Sequence, residues 1–353
     1  MPFRISLSPP ATRPRGGWVG GQGEGAAARV WLSLVCVCAL LLAWAMPAWP
    51  QAPGKTYRLG FLGSGSTRSH GAFVSAFREE MRARGYVEGK NLTIEYRWAE
   101  GDYERLPAMA GELVRLNVDA ILAHGTPGTR AAKAATTTIP IVTAIVGDAL
   151  ATGLVASLAR PGGNVTGTTF SFADVNAKRV EILKEAVPRV KRVAVLFNDT
   201  NAGNVLTAEA TARTARTVGV EVLPVSTRGA PDFDRAFAEI TRARADAVVV
   251  YEDALFIAQA ARLAALVERA RLPSIGFREY ADAGGLLGFG IDFPDVWRRA
   301  AGFVDRIFKG ARPGDLPMEQ AGKFEMAVNK QAARALGVTI PRGVLLRAHT
   351  VIE

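Results

Sequence analysis

The sequence has 353 residues, of which 49% are hydrophobic and 22% are charged, and its formal net charge is +10 at pH 7. This composition supplies apolar residues for a sizeable core, and the length suits two domains or one two-lobed unit. The basic residues are spread along the chain without a long Lys/Arg run. That pattern predicts a solvated basic surface and argues against a nucleic-acid-binding protein.

Cysteine and histidine are too few and too scattered for thiol or metal chemistry. Cys36 and Cys38 both lie in an apolar N-terminal stretch, and His70, His124 and His349 are far apart in sequence. Once that stretch is removed, the chain has no thiol for a disulfide, a nucleophile or a metal site. The histidines lack the close spacing of a zinc site. We therefore expect no metal and no cofactor.

The N-terminus predicts an exported protein. Residues 1–28 are rich in Gly, Pro and Arg, and we expect them to be disordered or upstream of the true start. Arg29 precedes an uncharged stretch over residues 30–46, and small residues and prolines follow as far as Pro53. This arrangement is typical of a secretory signal peptide, which we assign to residues 29–51. Because the stretch is short for a membrane span, we expect a periplasmic protein, with an uncleaved anchor as the alternative.

After the N-terminal stretch, short apolar segments alternate with amphipathic ones. In the predicted helix over residues 70–84, apolar side chains recur at helical spacing on one face. The predicted strands are residues 57–62, 92–98, 120–124, 141–145, 165–169, 193–197, 221–225, 247–251, 273–276 and 286–290. The other predicted helices are residues 103–116, 127–137, 204–218, 233–242, 254–270 and 295–309. Repeated strand–helix units of this length predict an α/β fold, with two Rossmann-like lobes of parallel sheet joined by a hinge.

Three segments carry a resemblance to a known family. Residues 148–167 read DALATGLVASLARPGGNVTG, residues 84–97 read RGYVEGKNLTIEYR, and residues 324–341 read FEMAVNKQAARALGVTIP. The chain, from residue 57 to its C-terminus, resembles the substrate-binding proteins of bacterial ABC transporters, in the group that includes tryptophan- and tyrosine-type receptors. The resemblance implies a type I periplasmic-binding fold, no catalysis, and delivery of a small ligand to a membrane permease.

The predicted elements and the resemblance together give a domain plan and a set of partners. Lobe 1 is assigned to residues 55–168 and 291–312, and lobe 2 to residues 169–290 and 313–353. The expected function is capture of an amino acid or small carboxylate by hinge closure, by a monomer that serves an ABC permease and ATPase. The alternatives are a periplasmic sensor for a membrane signalling partner and a secreted enzyme. Against an enzyme, no nucleophile–base–acid order, acid pair or metal spacing stands out at the strand ends.

Ligand-binding residues are expected at the carboxyl ends of the strands, where folds of this class bind ligands. Ser64 and Ser66 follow the first strand and precede a helix, which predicts either an anion site or an ordinary turn. Gly125 and Thr126 precede Pro127, a pattern that predicts Thr126 as the N-cap of a helix. A ligand carboxylate is expected to accept from the Thr126 hydroxyl and from the free N–H groups behind it.

Two more residues of lobe 1 have open roles. His124 is either a buried, hydrogen-bonded histidine or a ligand contact. Asp148 follows the fourth strand and is expected to pair with a ligand ammonium or to act in a turn. Relatives commonly have proline where this chain has Ala149. Because proline fixes φ and biases the residue before it, alanine predicts a looser turn around Asp148.

Polar residues follow two strands of lobe 2 in the same way. Asn198 comes at the end of one strand, and Asn204 starts the helix after it. Both are expected either near the ligand or in a turn. Glu252 and Asp253 follow a wholly apolar strand. This acidic pair predicts a site for a cationic amine, or a cap for the helix that starts at Ala254.

The last candidates lie towards the C-terminus. Arg278 is expected to pair with a carboxylate, and the ring of Tyr280 to stack on a flat ligand. Asp292 lies near a crossover between the lobes, where it either touches the ligand or orders the hinge. Donors on one lobe and acids on the other suit a zwitterion or a small carboxylate. A few charge-assisted contacts of ~1.5–3 kcal/mol each suffice for micromolar binding.

Overall fold

The computed structural model describes residues 55–353, so the proposed signal peptide at residues 29–51 and the segment before it lie outside the described part. The strands are β1 (Tyr57–Gly63), β2 (Leu92–Trp98), β3 (Ala120–Ala123), β4 (Ile141–Gly147), β5 (Val165–Phe170), β6 (Arg192–Asn198), β7 (Glu221–Thr227), β8 (Ala247–Val250), β9 (Ser274–Gly276), β10 (Leu287–Ile291), β11 (Glu319–Gln320), β12 (Phe324–Asn329) and β13 (Thr350–Ile352).

The α-helices are α1 (Thr67–Ala83), α2 (Leu106–Arg115), α3 (Gly125–Ala135), α4 (Phe172–Ala186), α5 (Ala202–Thr217), α6 (Phe233–Arg242), α7 (Ala254–Ala258), α8 (Ala260–Arg269), α9 (Arg278–Asp282), α10 (Phe293–Phe308), α11 (Lys330–Leu336) and α12 (Arg342–Arg347). Over residues 55–353, no helix is both long enough and apolar enough to span a bilayer.

The strands form two sheets, and each sheet is the centre of one lobe. The sheet of lobe 1 has the order β11-β5-β4-β3-β1-β2, and all its paired strands run parallel. The sheet of lobe 2 has the order β13-β12-β10-β9-β8-β6-β7, with one antiparallel pair, β10 with β12. Helices cover both faces of these sheets, so central strands such as β3 and β8 are buried at every position.

The chain passes between the lobes three times. The first passage lies between β5 and α4, the second at Asp292 between β10 and α10, and the third between β11 and β12. Residues 313–320 were expected in lobe 2. They belong to lobe 1, because Glu319 of β11 pairs with Thr168 of β5 and Met318 packs into the core of lobe 1. A two-residue strand has no alternating pattern from which the sequence predicts it.

Helix α4 was not predicted from the sequence. It begins after Ser171, whose side chain caps the backbone N–H of Asp174. Its buried face carries Asn176 and Arg179 beside apolar residues such as Val180. These two polar residues interrupt the apolar pattern that marks an amphipathic helix. The helix predicted over residues 254–270 is instead two helices, α7 and α8, which meet at Gln259.

Candidate ligand-binding site

A cavity lies between the lobes, at the carboxyl ends of strands from both sheets. It holds about 410 Å³ of empty space, including its opening to solvent. Lobe 1 contributes Ser64, Tyr103, His124, Gly125, Thr126, Pro127, Ile145, Val146, Gly147 and Phe170. Lobe 2 contributes Phe172, Asn201, Glu252, Asp253, Ala254 and Ile257, and Phe293 lies beside the second passage.

The start of α3 forms one wall of the cavity. The prediction that Thr126 is the N-cap is wrong, because the helix begins at Gly125 and His124 is the capping residue, without a side-chain cap bond. Gly125 has a φ of 75°, a conformation that favours glycine and turns the chain into the helix. Thr126 therefore lies in the first turn. Its buried hydroxyl has no hydrogen-bond partner within residues 55–353, close to N–H groups that lack helical partners.

The two predicted serines have different positions. Ser64 lines the cavity, and its hydroxyl donates a 2.6 Å hydrogen bond to the carbonyl of His124. This bond joins the loop after β1 to the start of α3. Ser66 does not line the cavity. It caps α1 in a reciprocal arrangement with Ser69, where the Ser66 side chain accepts from the Ser69 N–H at 3.2 Å.

Two buried histidines lie behind this wall. The rings of His70 and His124 are 4.5 Å apart at their centroids, in an edge-on arrangement. Burial lowers the pKa of His70 to about 4 and holds the pKa of His124 well below its ordinary value. Both rings are therefore neutral at pH 7. His124 is also a lining residue of the cavity, and the Nδ1 of its neutral ring has no partner in the described part of the chain.

Asp253 is the most heavily hydrogen-bonded side chain of the site. Its carboxylate accepts from the Tyr103 hydroxyl at 2.8 Å, the amides of Asn198 at 3.1 Å, Asn201 at 2.9 Å and Asn204 at 3.3 Å, and the N–H of Leu255 at 3.0 Å. Burial raises the pKa of Asp253, while the donors from Asn201, Asn198, Tyr103 and Leu255 lower it. Asp253 thus organises the wall of lobe 2 and caps α7, and Asn198 and Asn204 support it from outside the cavity lining.

Glu252 lines the cavity and has one carboxylate oxygen without a partner among the described residues. Its Oε2 accepts a 3.1 Å hydrogen bond from Nη2 of Arg179, while Oε1 is buried without a partner among the described residues. Burial raises the pKa of Glu252, and the Arg179 charge acts in the opposite direction. Arg179 lies on the helix that the sequence did not predict, and no pattern in the sequence places it next to Glu252.

Two predicted acids lie at passages between the lobes, outside the cavity lining. Asp148 has a φ of 45°, and its Oδ2 accepts a 3.0 Å hydrogen bond from the N–H of Phe172, at the start of α4. The N–H of Ala149 donates to Thr169 Oγ1 at 3.2 Å, a bond that proline cannot make. Asp292 caps α10 by accepting a 2.9 Å bond from the Asp295 N–H.

Arg278 and Tyr280 are placed away from the cavity. They lie on α9, a short helix that follows β9, and Tyr280 is on its buried side. Arg278 pairs with Asp282, and its Nε lies 3.5 Å from the Glu325 carboxylate. The ring of Tyr280 is fully buried, and its hydroxyl donates to Ser274 at 3.0 Å. Their positions give no support to the predicted ligand contacts.

The structure therefore brings part of the predicted set together. Ser64, Gly125, Thr126, Glu252 and Asp253 line one cavity, while the other predicted residues cap, support or lie elsewhere. Tyr103 and Asn201 line the cavity and were missed. Asn201 lies in the polar loop after β6 that the sequence singled out, whereas Tyr103 was assigned to a helix. Among the described residues, no group of three His, Cys, Asp or Glu side chains is arranged to hold a metal ion.

Two α/β lobes, each built on a mostly parallel sheet, surround a shared and largely apolar cavity. This arrangement defines a binding protein that holds a small molecule between its lobes. Residues 66–352 match the family described as ABC transporter substrate binding protein, and the chain belongs to this family. This confirms the family resemblance drawn from the sequence.

Individual relatives agree with this assignment. A tyrosine-binding protein of Clostridioides difficile (strain R20291) is 26% identical over 261 residues, which is 74% of this chain and 75% of the relative. A conserved domain protein of Vibrio cholerae is 29% identical, with a TM-score of 0.80 over 84% of this chain and 100% of the other. A Streptococcus pneumoniae ABC domain in complex with L-Trp is 24% identical, with a TM-score of 0.79 and the same coverage. The predicted type I periplasmic-binding fold is confirmed.

Proposed function

We propose that this protein is the periplasmic receptor of an ABC uptake system and captures a zwitterionic amino acid between its lobes. The observation that carries the proposal is that Thr126 and Glu252 line the same cavity from opposite lobes, and that Thr126 Oγ1 and Glu252 Oε1 are buried without a partner among residues 55–353. The hydroxyl and the nearby helix N–H groups suit a ligand carboxylate. The Glu252 oxygen suits a ligand ammonium.

Unpartnered buried polar atoms are unfavourable, at about 1–3 kcal/mol each. A ligand that satisfies the Thr126 hydroxyl and the Glu252 carboxylate at once removes this penalty on both lobes. Since the two groups belong to different lobes, such a ligand also holds the lobes together. Binding and hinge closure are thereby coupled.

The rest of the cavity favours a ligand with an apolar or aromatic side chain. Ile145 and Phe170 come from lobe 1, Phe172 and Ile257 from lobe 2, and Phe293 from the second passage. Apolar walls with a few convergent polar groups are typical of sites for small organic ligands. The names of two relatives, a tyrosine-binding protein and a domain crystallised with L-Trp, support an aromatic amino acid.

The location and partners follow from the family and the N-terminus. Export by the signal at residues 29–51 brings the receptor to the periplasm, where an ABC permease with its ATPase takes up the captured ligand. We propose that the protein is a monomer and that it binds without catalysis. Family membership supports both the transport role and the absence of catalysis.

The test is a thermal-shift screen of the purified protein against the amino acids, followed by calorimetry. A ligand at 100 times its Kd stabilises the folded state by about 2.7 kcal/mol, so L-tyrosine or L-tryptophan should raise Tm. Tyramine, which lacks the carboxylate, and 3-(4-hydroxyphenyl)propionate, which lacks the ammonium, should each bind at least about tenfold more weakly than L-tyrosine. A flat response of folded protein to every amino acid contradicts the proposal.

A further inference from the structure

Arg179 is completely buried and makes three different hydrogen bonds. Its Nε donates to the carbonyl of Phe289 at 2.7 Å, its Nη1 to Asn176 Oδ1 at 2.9 Å, and its Nη2 to Glu252 Oε2 at 3.1 Å. A guanidinium fixes its donors in one plane, so three partners define its orientation. The orientation of Arg179 in turn fixes which oxygen of Glu252 is engaged.

The partners of Arg179 connect the cavity to the passages between the lobes. Arg179 itself lies on α4, which begins just after the first passage, and Phe289 lies on β10, which leads into the second. The backbone at Gly290 lies close to both side chains, because a Cβ there would be 3.2 Å from Arg179 Nη2 and 3.6 Å from Glu252 Oε1. Through Arg179, the Glu252 carboxylate is therefore linked to α4 and β10, the elements of lobe 2 next to the first and second passages.

We propose that Arg179 is a positioning residue for ligand capture, which holds Oε2 of Glu252 so that Oε1 is presented to the cavity as the acceptor for a ligand ammonium. The inference rests on the proposed function, because it requires a ligand that carries an ammonium. Arg179 does not line the cavity, so it acts only through Glu252.

Charge supports this role as well as geometry. A buried carboxylate without a counter-charge tends to take up a proton, and its acceptor strength for a cation is then lost. The charged or titratable groups around the Arg179–Glu252 pair are Tyr251 directly after β8, Asp253 beside Glu252, and Glu279 on α9. Arg179 is the cation that opposes the effect of burial on Glu252.

The test compares wild type with Arg179→Gln and Arg179→Lys by calorimetry at pH 8 and pH 6. The probes are L-tyrosine and L-tryptophan, each paired with its deaminated analogue, 3-(4-hydroxyphenyl)propionate or 3-indolepropionate. Arg179→Gln should weaken binding of the amino acids by about tenfold or more while the analogues change less than about twofold. The loss should be larger at pH 6, because Glu252 without its counter-charge takes up a proton more readily at the lower pH. Arg179→Lys, which keeps the charge, should restore part of the affinity.

Control variants separate this role from a general loss of structure. Arg192→Gln removes an Arg–Glu pair on the surface of lobe 2, with Glu221, and should leave all affinities unchanged. Glu279→Gln removes the other buried carboxyl near Arg179 and should leave the pH effect of Arg179→Gln in place. If Arg179→Gln does not fold, the comparison is made between Arg179→Lys and wild type. Lysine retains the positive charge but not the planar set of donors that makes the three hydrogen bonds.

The positioning role would be overturned if a folded Arg179 variant lost affinity equally for the amino acid and its analogue, or if its affinities were unchanged. Failure of wild type to bind either amino acid is a different result. It refutes the proposed function itself, and the inference about Arg179 falls with it. The two failures are distinguished by the wild-type measurement alone.

Discussion

The hydroxyl of Tyr103 donates a 2.8 Å hydrogen bond to the carboxylate of Asp253 and so joins lobe 1 to lobe 2 at the cavity. Burial and the Asp253 charge raise the pKa of Tyr103 well above its ordinary value, which keeps the phenol a neutral donor. The same region brings Gly101 close to Leu255, with a Cβ at residue 101 placed 3.3 Å from the Leu255 side chain. Contact between the lobes therefore does not depend on the ligand alone.

Tyr103→Phe should weaken closure without unfolding the protein, because Asp253 keeps its other donors. The loss of one hydrogen bond to a charged group, about 1.5 kcal/mol, should raise the Kd for the amino acid by roughly tenfold. Calorimetry measures the Kd, and small-angle scattering should show a larger radius for the ligand-free variant. Tyr96→Phe is the matched control, since the Tyr96 hydroxyl lies outside the cavity lining. An unchanged Kd in Tyr103→Phe would show that the hydrogen bond makes no net contribution to closure.

Glu279 should make stability fall as pH rises. Burial raises the pKa of Glu279 to about 8, its own backbone N–H lowers it, and the charge of Glu252 raises it further. Between the ordinary value of 4.5 and about 8, the unfolded chain has released this proton while the folded protein retains it. The unfolded state binds fewer protons there, so the free energy of unfolding decreases with pH across that window.

Glu279→Gln removes this dependence while keeping the shape of the protonated acid. The variant should resemble wild type at pH 4.5 and exceed it at pH 8, with a gain in Tm of about 2 °C or more. Thermal unfolding at both pH values measures the difference. Glu181→Gln removes an exposed ion pair with Lys178 on α4. It should change Tm by the same small amount at both pH values. A Glu279→Gln effect that does not vary with pH would contradict this assignment.

The general fold was predictable because fully buried parallel strands have a plain sequence signature. The apolar stretches of β3, β4 and β8 are buried at every residue, and turns separate them from amphipathic helices. Helix α4 escaped prediction because Asn176 and Arg179 occupy buried positions on it. Their polarity is explained only by partners distant in sequence, such as the Phe289 carbonyl, which no local pattern reveals.

Topology predicted where part of the candidate site lies. Parallel strands end at a common edge, so Ser64, Thr126 and Glu252 were expected together, and the structure places all three at the cavity. Topology does not specify side-chain direction, as for Tyr280, whose ring packs into the core of lobe 2. The partner of Asp253 on lobe 1, Tyr103, depends on how the lobes meet, which sequence spacing does not specify.

Gly167 is required by the close pairing of β4 and β5. Its φ is 129°, and a Cβ there would lie 2.1 Å from the carbonyl oxygen of Thr143, where the register of the pair shifts. Gly167→Ala should therefore destabilise the protein by about 3 kcal/mol or more, from backbone strain and overpacking. Denaturant unfolding measures this loss. Gly163→Ala, where a Cβ meets nothing within 4 Å, should change stability by less than about 1 kcal/mol, and similar values for the two variants would count against the argument.

Thr126 provides the sharpest test of where the ligand carboxylate binds. Thr126→Val keeps the shape of the side chain but removes a buried hydroxyl that has no partner among residues 55–353. The ligand-free protein should lose no stability, because an unsatisfied polar group has been removed. Binding of L-tyrosine should weaken by about tenfold or more, whereas tyramine, without a carboxylate, should be unaffected. Thr168→Val removes another buried hydroxyl of lobe 1, which has no partner among the described residues and lies outside the cavity lining. Calorimetry should find the Kd for L-tyrosine unchanged in this variant. Equal loss for L-tyrosine and tyramine in Thr126→Val would move the carboxylate away from the start of α3 and leave Thr126 a packing role only.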